Sequence, residues 1–450
     1  MKLHQIELKN FRLFERFTCV FEPDLTVLVG QNGLGKTTLL DAIMIGLGQF
    51  VGGFGTGHDV GIHNDDIRLE RFSTSSDADS TVTASEYMEL QFPVTIESRI
   101  LKETSTISCV RTRNTLKGRT TQVKELKEWA HDLQNAVQSG EHISLPLLAY
   151  YGTGRLWAQK RLTENKKPTS AIHTSRLDGY IDCMDPASSY SAFSVWFRQE
   201  TIAEYEYQMA VIERKETITQ TSRSRLLAAI TDAVNTVLAP SGWRNLRYSA
   251  VQRNIVASHQ EYGDLPVTSL SDGVRNMIGL VADIAYRAVR LNPHLLNQAV
   301  KETNGIVLID EVDMHLHPEW QQLILQNIRE AFPNLQFIVT THSPQVLSSI
   351  SRNKIRLLSH INGIGEAALP MGETLAEASN DLLERVMNVS PRPPLRQVTL
   401  FQQYMRLIDT GLHLSAEAQC LRAELISIIG ADHEDMAKAD RAIRRKELLG

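Results

Sequence analysis

Apolar and polar positions change their rhythm along this chain in a way that lays out its elements. Ile6, Leu8 and Phe11 share one apolar face of a first strand, whereas Leu25, Val27, Leu28 and Val29 form the near-continuous run of a buried strand. Thr38, Leu39, Leu40, Ala42, Ile43 and Met44 follow as a helix. Strands are predicted over residues 87–92 and 105–111, a helix over 123–138 and a buried strand over 145–151. Residues 73–86, rich in Ser, Thr and Asp, predict an exposed loop.

Farther along, Ile202, Tyr205, Met209 and Ile212 share one helical face, and Leu226, Ile230, Val234 and Val237 another, which predicts a helical hairpin. Its arms reach at most about 60 Å at a rise of about 1.5 Å per residue, which excludes a long coiled-coil arm. Buried strands recur over residues 305–309 and 336–340, and the prolines at 391, 393 and 394 end the pattern before short helices over 396–450. The expected organisation is an N-terminal lobe over residues 1–160, a helical insertion over 161–250, a C-terminal lobe over 251–390 and a helical tail over 391–450.

Composition changes this picture little. With 47 basic and 52 acidic residues and a net charge of −5, no global positive field advertises nucleic acid. Cys19, Cys109, Cys183 and Cys420 form no C-x-x-C pair, which argues against a disulfide framework or a thiolate zinc site and for a reducing compartment. No apolar run approaches the ~18 residues of a membrane span, and residues 1–5 lack a signal-peptide core, so a cytoplasmic protein is expected.

The chemistry lies between the buried strand and the first helix. Gly30-Gln31-Asn32-Gly33-Leu34-Gly35-Lys36-Thr37 is a complete G-x-x-x-x-G-K-T phosphate loop, with Thr38 next in the helix. Glycines let successive amides curl toward phosphate oxygens, and the helix N-terminus adds partial positive charge. Lys36 is placed for the β and γ phosphates of a nucleoside triphosphate, and the Thr37 hydroxyl for Mg²⁺. A second apolar strand, over 305–309, delivers Asp310 and Glu311: the first carboxylate suits Mg²⁺, and the second can orient or deprotonate the attacking water. A third ends at Thr341-His342, where a histidine can sense the γ-phosphate; alone, His342 would read as an ordinary strand-end residue.

Leu270-Ser271-Asp272-Gly273 precedes an apolar helix, and with it the order of motifs becomes specific. Phosphate loop, Ser-x-Gly helix start, Asp-Glu strand and terminal His resemble the ABC-type ATPase head of transporters, Rad50, RecF and SMC proteins. The resemblance implies an α/β fold, a mixed sheet with helices, here with a short helical hairpin insertion and a small helical C-terminal module. It also implies a homodimer or higher homo-oligomer in which Ser271 and Gly273 touch the γ-phosphate held by the opposite subunit. Asp272 and Val274 depart from the common Leu-Ser-Gly-Gly-Gln, and simple helix capping by Ser271 or Asp272 is also compatible with the sequence. Asn10-Phe11-Arg12 resembles the Asn-Phe-Arg of Rad50-like and RecF-like heads, where the arginine approaches nucleotide. Residues 313–318 fall where the family has its dimer-interface loop; the His315-x-His317 pair would need further ligands to hold a metal. Gln159 is a candidate for the family's glutamine loop.

Within this superfamily, about 90 residues between the lobes are too few for an SMC or Rad50 protein, and no membrane partner segment points to transport. No acidic cluster matches the Toprim site of the OLD nucleases: Asp432-His433-Glu434-Asp435 reads as a solvated helix face. Asp66-Ile67-Arg68, residues 150–155, residues 176–180 and residues 378–383 resemble the PtuA ATPases of Septu and retron antiphage systems. That implies an ATPase without its own nuclease site, regulating a separate HNH-type nuclease (PtuB-like), in a retron alongside a reverse transcriptase and its DNA or RNA product. Leu400, Tyr404, Leu407 and Ile408 form an apolar face that could dock such a partner or pack within the chain. The alternative is a RecF-like or Rad50-like DNA-repair ATPase that binds DNA directly, with Lys438, Arg441, Arg444, Arg445 and Lys446 as the basic cluster.

Overall fold

A computed structural model describes residues 1–55, 59–73, 86–102, 105–155, 175–185 and 190–449. Most of the expected exposed loop at 73–86, and Gln159, lie outside the described residues. The first part of the chain runs β1 (Lys2–Phe11), β2 (Phe14–Val20), β3 (Leu25–Val29), α1 (Lys36–Gly53), β4 (Leu69–Ser73), β5 (Glu86–Leu90), β6 (Val94–Lys102), β7 (Ser105–Arg113), α2 (Lys124–Gln138) and β8 (Leu147–Tyr151). The middle contributes α3 (Tyr190–Glu213), α4 (Ser222–Leu238), β9 (Trp243–Ser249), β10 (Asn254–His259) and β11 (Gly263–Pro266). Next come α5 (Asp272–Leu291), α6 (Ala299–Glu302), β12 (Gly305–Ile309), α7 (Pro318–Ala331), β13 (Leu335–Thr340), α8 (Pro344–Ser348), β14 (Ile355–Ile361), β15 (Ile364–Ala368) and α9 (Ser379–Arg385). The tail holds α10 (Arg396–Asp409), α11 (Ala416–Ile429) and α12 (Glu434–Leu449).

Ten strands form one mixed sheet in the order β7-β6-β1-β2-β15-β14-β3-β13-β12-β8. Its two halves obey different rules. From β14 to β8 every neighbouring pair is parallel, with Val307 opposite Phe337 and Ile309 opposite both Val339 and Tyr151. All residues of β3, β12, β13 and β8 are buried, as parallel strands covered on both faces must be. From β7 to β2 the pairs are antiparallel, and β1 and β6 alternate between buried and more open positions. The parallel arrangement brings the carboxyl ends of β3, β12, β13 and β8 to one edge, where open α/β sheets bind their ligands.

The chain divides into two compact units, Met1–Leu382 and Leu383–Gly450. In the first, α3 and α4 form the expected hairpin, clasped by Arg223–Glu200 and Thr221–Glu204 bonds. The buried face of α3 differs from the expected one: Phe193, Phe197, Thr201, Glu204 and Val211 point inward, while Tyr205, Met209 and Ile212 are exposed. Counting apolar letters misplaced it because Thr201 and Glu204 are polar, yet both are satisfied inside, Thr201 on the Phe197 carbonyl and Glu204 on Thr221. After α4 the chain turns into a separate three-stranded sheet, β11-β10-β9, whose first strand falls inside the segment read as helical.

In the second unit, α10, α11 and α12 share a small core of Phe401, Tyr404, Ile408, Ala418, Leu425, Met436 and Ala439. The face offered for docking is therefore spent internally: Tyr404 and Ile408 are buried, with Leu400 and Leu407 packed against them. Lys446 of the basic cluster caps α10 through the Ile408 and Asp409 carbonyls, while Lys438, Arg441, Arg444 and Arg445 are exposed. Among the described residues, no helix is long and apolar enough to cross a membrane.

Candidate nucleotide site

Gly33 and Gly35 take left-handed φ values of 83° and 89°, which a side chain would strain, and Gly35 is the N-cap of α1. A Cβ at Gly35 would lie 2.5 Å from the Phe14 ring, whereas one at Gly33 would meet nothing within 4 Å. The loop is thus packed against β2 on one side and open at its tip. The Lys36 ammonium turns back to donate to the Gly30 and Gln31 carbonyls at 2.8 and 3.1 Å. Burial pulls its pKa below the ordinary lysine value, against the opposing pull of Asp310 and Glu311.

Although 273 residues apart, Thr37 and Asp310 meet: the Thr37 hydroxyl donates to Asp310 Oδ2 at 2.9 Å. The Thr340 hydroxyl donates to Asp310 Oδ1 at 2.6 Å and accepts from the Glu311 amide at 2.7 Å. The Asp310 amide donates to the Tyr151 carbonyl at 2.8 Å, so the ends of β8, β12 and β13 are stitched around one carboxylate. Glu311 is half-buried and takes a left-handed φ of 49°, an uncommon conformation for a residue with a side chain. His342 follows at the end of β13, half-buried, between two residues that bind the next loop. Thr341 donates to Asp313 at 2.6 Å and Ser343 to Gln321 at 2.7 Å, and Gln321 in turn holds the Leu316 carbonyl at 2.9 Å.

Arg12 lies across α1 with φ 49°, its guanidinium donating to Asp41 at 2.7 Å and Asp66 at 2.9 Å. Burial disfavours its charge, but the two carboxylates hold its pKa above the ordinary value. Asp41 stands one turn beyond Thr37 and also accepts from the Tyr150 hydroxyl at 3.1 Å. Burial, together with Asp41 and Asp310, pushes the Tyr150 phenol upward. Arg12 is thus bound to carboxylates beside the phosphate-loop helix.

Ser271 occupies the N-cap of α5, yet its hydroxyl makes no cap bond, and the residue is exposed. Capping, the other role open to it, is not what it does here. Asp272 instead pairs with Arg275. Gly273 is buried, and a Cβ there would lie 2.4 Å from the His315 carbonyl, so only glycine lets α5 start against the 313–317 loop. Within that loop His315 has φ 61°, and the His317 ring caps α7 through the Glu319 amide. Among the described residues, no group of three His, Cys, Asp or Glu converges as a metal site would require.

The helix that Ser271 starts is anchored to the nucleotide edge from beneath. The Tyr151 hydroxyl donates to Asp283 at 2.7 Å, and Arg287 donates to the same carboxylate at 2.8 Å and to the Gly179 and Ile181 carbonyls at 2.9 Å. Asp283 and Arg287 are 1% and 3% exposed. Burial and Asp283 push the Tyr151 phenol well above its ordinary value, so it remains a donor. Asp41, Tyr150, Thr340 and Thr341 were not among the expected site residues. The i, i+4 spacing of Thr37 and Asp41 was the available signal for the first, and the threonines just before His342 for the last two.

A phosphate loop on α1, an Asp-Glu pair on the adjacent parallel block and a Ser-x-Gly helix start on the same chain define an ABC-type ATPase. An AAA domain family matches residues 5–224, and a second family, described as an AAA domain of a putative AbiEii toxin of a type IV toxin–antitoxin system, matches residues 185–348, so the chain is similar to AAA-domain proteins along both stretches. It is 27% identical to the Retron Ec83 probable ATPase of Escherichia coli over 99% of this chain and 87% of that protein. It is 33% identical to the Septu protein PtuA of Bacillus thuringiensis over 28% of this chain and 31% of that one. Among solved structures, an SMC head domain from Thermotoga maritima aligns with a TM-score of 0.42 and 14% identity, over 82% of this chain and 99% of that one.

Proposed function

We propose that this chain binds ATP on Gly30–Thr38 and hydrolyses it within a dimer, as the ATPase of an antiphage system of the retron or Septu kind. One observation carries the reading: the Thr37 hydroxyl and the Asp310 carboxylate, from distant parts of the chain, meet at 2.9 Å beside Lys36. Lys36 now bonds two loop carbonyls, and a triphosphate would offer it stronger, charged acceptors in their place. The oxygen donors of Thr37 and Asp310 suit Mg²⁺, a hard cation that would neutralise phosphate charge. Glu311, fixed through its amide to Thr340, is the group to orient the attacking water, and His342 the group to contact the γ-phosphate. Ser271 and Gly273 act on the ATP of the opposite subunit, which accounts for an exposed serine that caps nothing.

In the defence setting, the nucleotide state of the dimer governs a separate HNH-type nuclease, with a reverse transcriptase and its nucleic-acid product as further partners in a retron. Affinity purification from cells carrying the flanking genes tests this part. An HNH-type protein that co-purifies in a nucleotide-dependent ratio supports it, whereas recovery of the chain without such a partner in every nucleotide state contradicts it.

A further inference from the structure

The tail spends some of its cations internally and leaves others open. Arg392, Arg396 and Arg422 pair with Asp435, Glu424 and Asp440 at 2.7, 2.6 and 2.6 Å, and Lys446 donates to the carbonyls at the end of α10. Lys438, Arg441, Arg444 and Arg445 do neither. All four are exposed, and among the described residues none of them makes an ion pair or a side-chain hydrogen bond.

Helix geometry gathers these four on one side of α12. At about 3.6 residues per turn, Lys438, Arg441 and Arg445 form one row along the axis and Arg444 lies beside it, while Met436 and Ala439 face the tail's core. At a rise of about 1.5 Å per residue the row covers about 10 Å. Glu434 precedes it in the first turn, and Glu447 leans toward His413 at 3.9 Å. The helix dipole favours cations in the last turn only, and Lys438 and Arg441 lie farther in. Arg441 has Lys438, Arg444 and Arg445 at i−3, i+3 and i+4, spacings at which like charges destabilise a helix. An anionic partner would remove that repulsion. Between the cations stands Ala437 and no aromatic ring, whereas single strands are held by exposed aromatic faces.

We infer that this face of α12 docks on duplex DNA, with the row lying along the major groove and the four cations reaching phosphate oxygens of the strands that flank it. An α-helix fits that groove, about 12 Å wide, whereas the deep major groove of an RNA duplex is too narrow for it. Phosphate contacts fix the position of the helix and hold DNA of any sequence. The tail is a compact unit with its own core, and the row lies outside that core, so the surface does not depend on the ATP site or its assignment.

The test uses the full chain without nucleotide. Fluorescence anisotropy follows a labelled DNA duplex of about twenty base pairs across a range of salt, beside a single strand and an RNA duplex of the same length. Lys438→Gln, Arg441→Gln and Arg445→Gln together should weaken duplex binding at least about tenfold and lower the slope of log affinity against log salt by about three. Lys438→Gln alone, which leaves the end of the helix intact, should lower that slope by about one. Arg119→Gln, Lys124→Gln and Lys127→Gln remove the same charge from exposed positions of the first unit and should leave affinity and slope unchanged. No duplex binding at about 50 mM salt, equal weakening by the two triple variants, or a single strand or RNA duplex bound as tightly as the DNA overturns the proposal.

Discussion

Thr37, Asp310, Thr340 and the Glu311 amide bond to one another, and Lys36 bonds two carbonyls of its own loop. At the start of α5 the situation is reversed: the Ser271 hydroxyl takes no cap bond and stands exposed, although the glycine beside it is pressed against the His315 carbonyl. One half of the proposed site is held together by bonds within the chain. The other half has a rigid mount and a serine hydroxyl that caps nothing. The difference teaches that a firm backbone and a bonded side chain are separate properties: the fold positions Ser271 firmly, and under the proposed function its work comes from a second copy of the chain.

The largest expected effect falls on the self-contained half. Glu311→Gln should lower turnover by about 10²–10⁴-fold while leaving ATP affinity within a few-fold, measured by steady-state hydrolysis and by equilibrium binding. Unchanged turnover would remove Glu311 from water activation. Lys36→Ala should weaken ATP binding by about 100-fold, the worth of charge-assisted phosphate bonds, as read by calorimetry. On the other side, Gly273→Ala forces apart two groups that now approach to contact. It should cut turnover by about tenfold and leave ATP binding by the isolated chain untouched. Equal losses of binding and turnover would show that this turn serves the ATP of its own chain. Smallest is Tyr151→Phe, which removes one bond to Asp283 but leaves Arg287 in place. It should cost about 1–2 kcal/mol in denaturant unfolding, with hydrolysis nearly unchanged. A large loss of turnover in that variant would mean that the link from α5 to β8 transmits the signal between the two halves.

The parallel block was legible because its strands are short apolar runs ending in the residues that carry chemistry, as in Gly305–Ile309 before Asp310. The phosphate loop was legible for the same reason, since Gly33 and Gly35 are needed where φ is positive. The antiparallel flank was harder: β6 reads V-T-I-E-S-R-I-L-K, and its buried Val94, Ile96 and Ile100 are diluted by charged residues on the open face. The inward face of α3 was misplaced because Glu204 is buried against a threonine 17 residues away, a contact that periodicity does not encode. Similarly, Asp41 gains its importance from Arg12 and Tyr150, which the fold, not the local sequence, brings to it.

The claim that a second copy completes the pocket is tested most directly by the mass of Glu311→Gln chain in solution, with and without ATP and Mg²⁺, followed across protein concentration. The account predicts a nucleotide-dependent doubling of mass, lost when Ser271→Arg is added, and wild-type turnover per chain that rises with concentration. A mass that stays monomeric in saturating ATP, with turnover per chain independent of concentration, would contradict it.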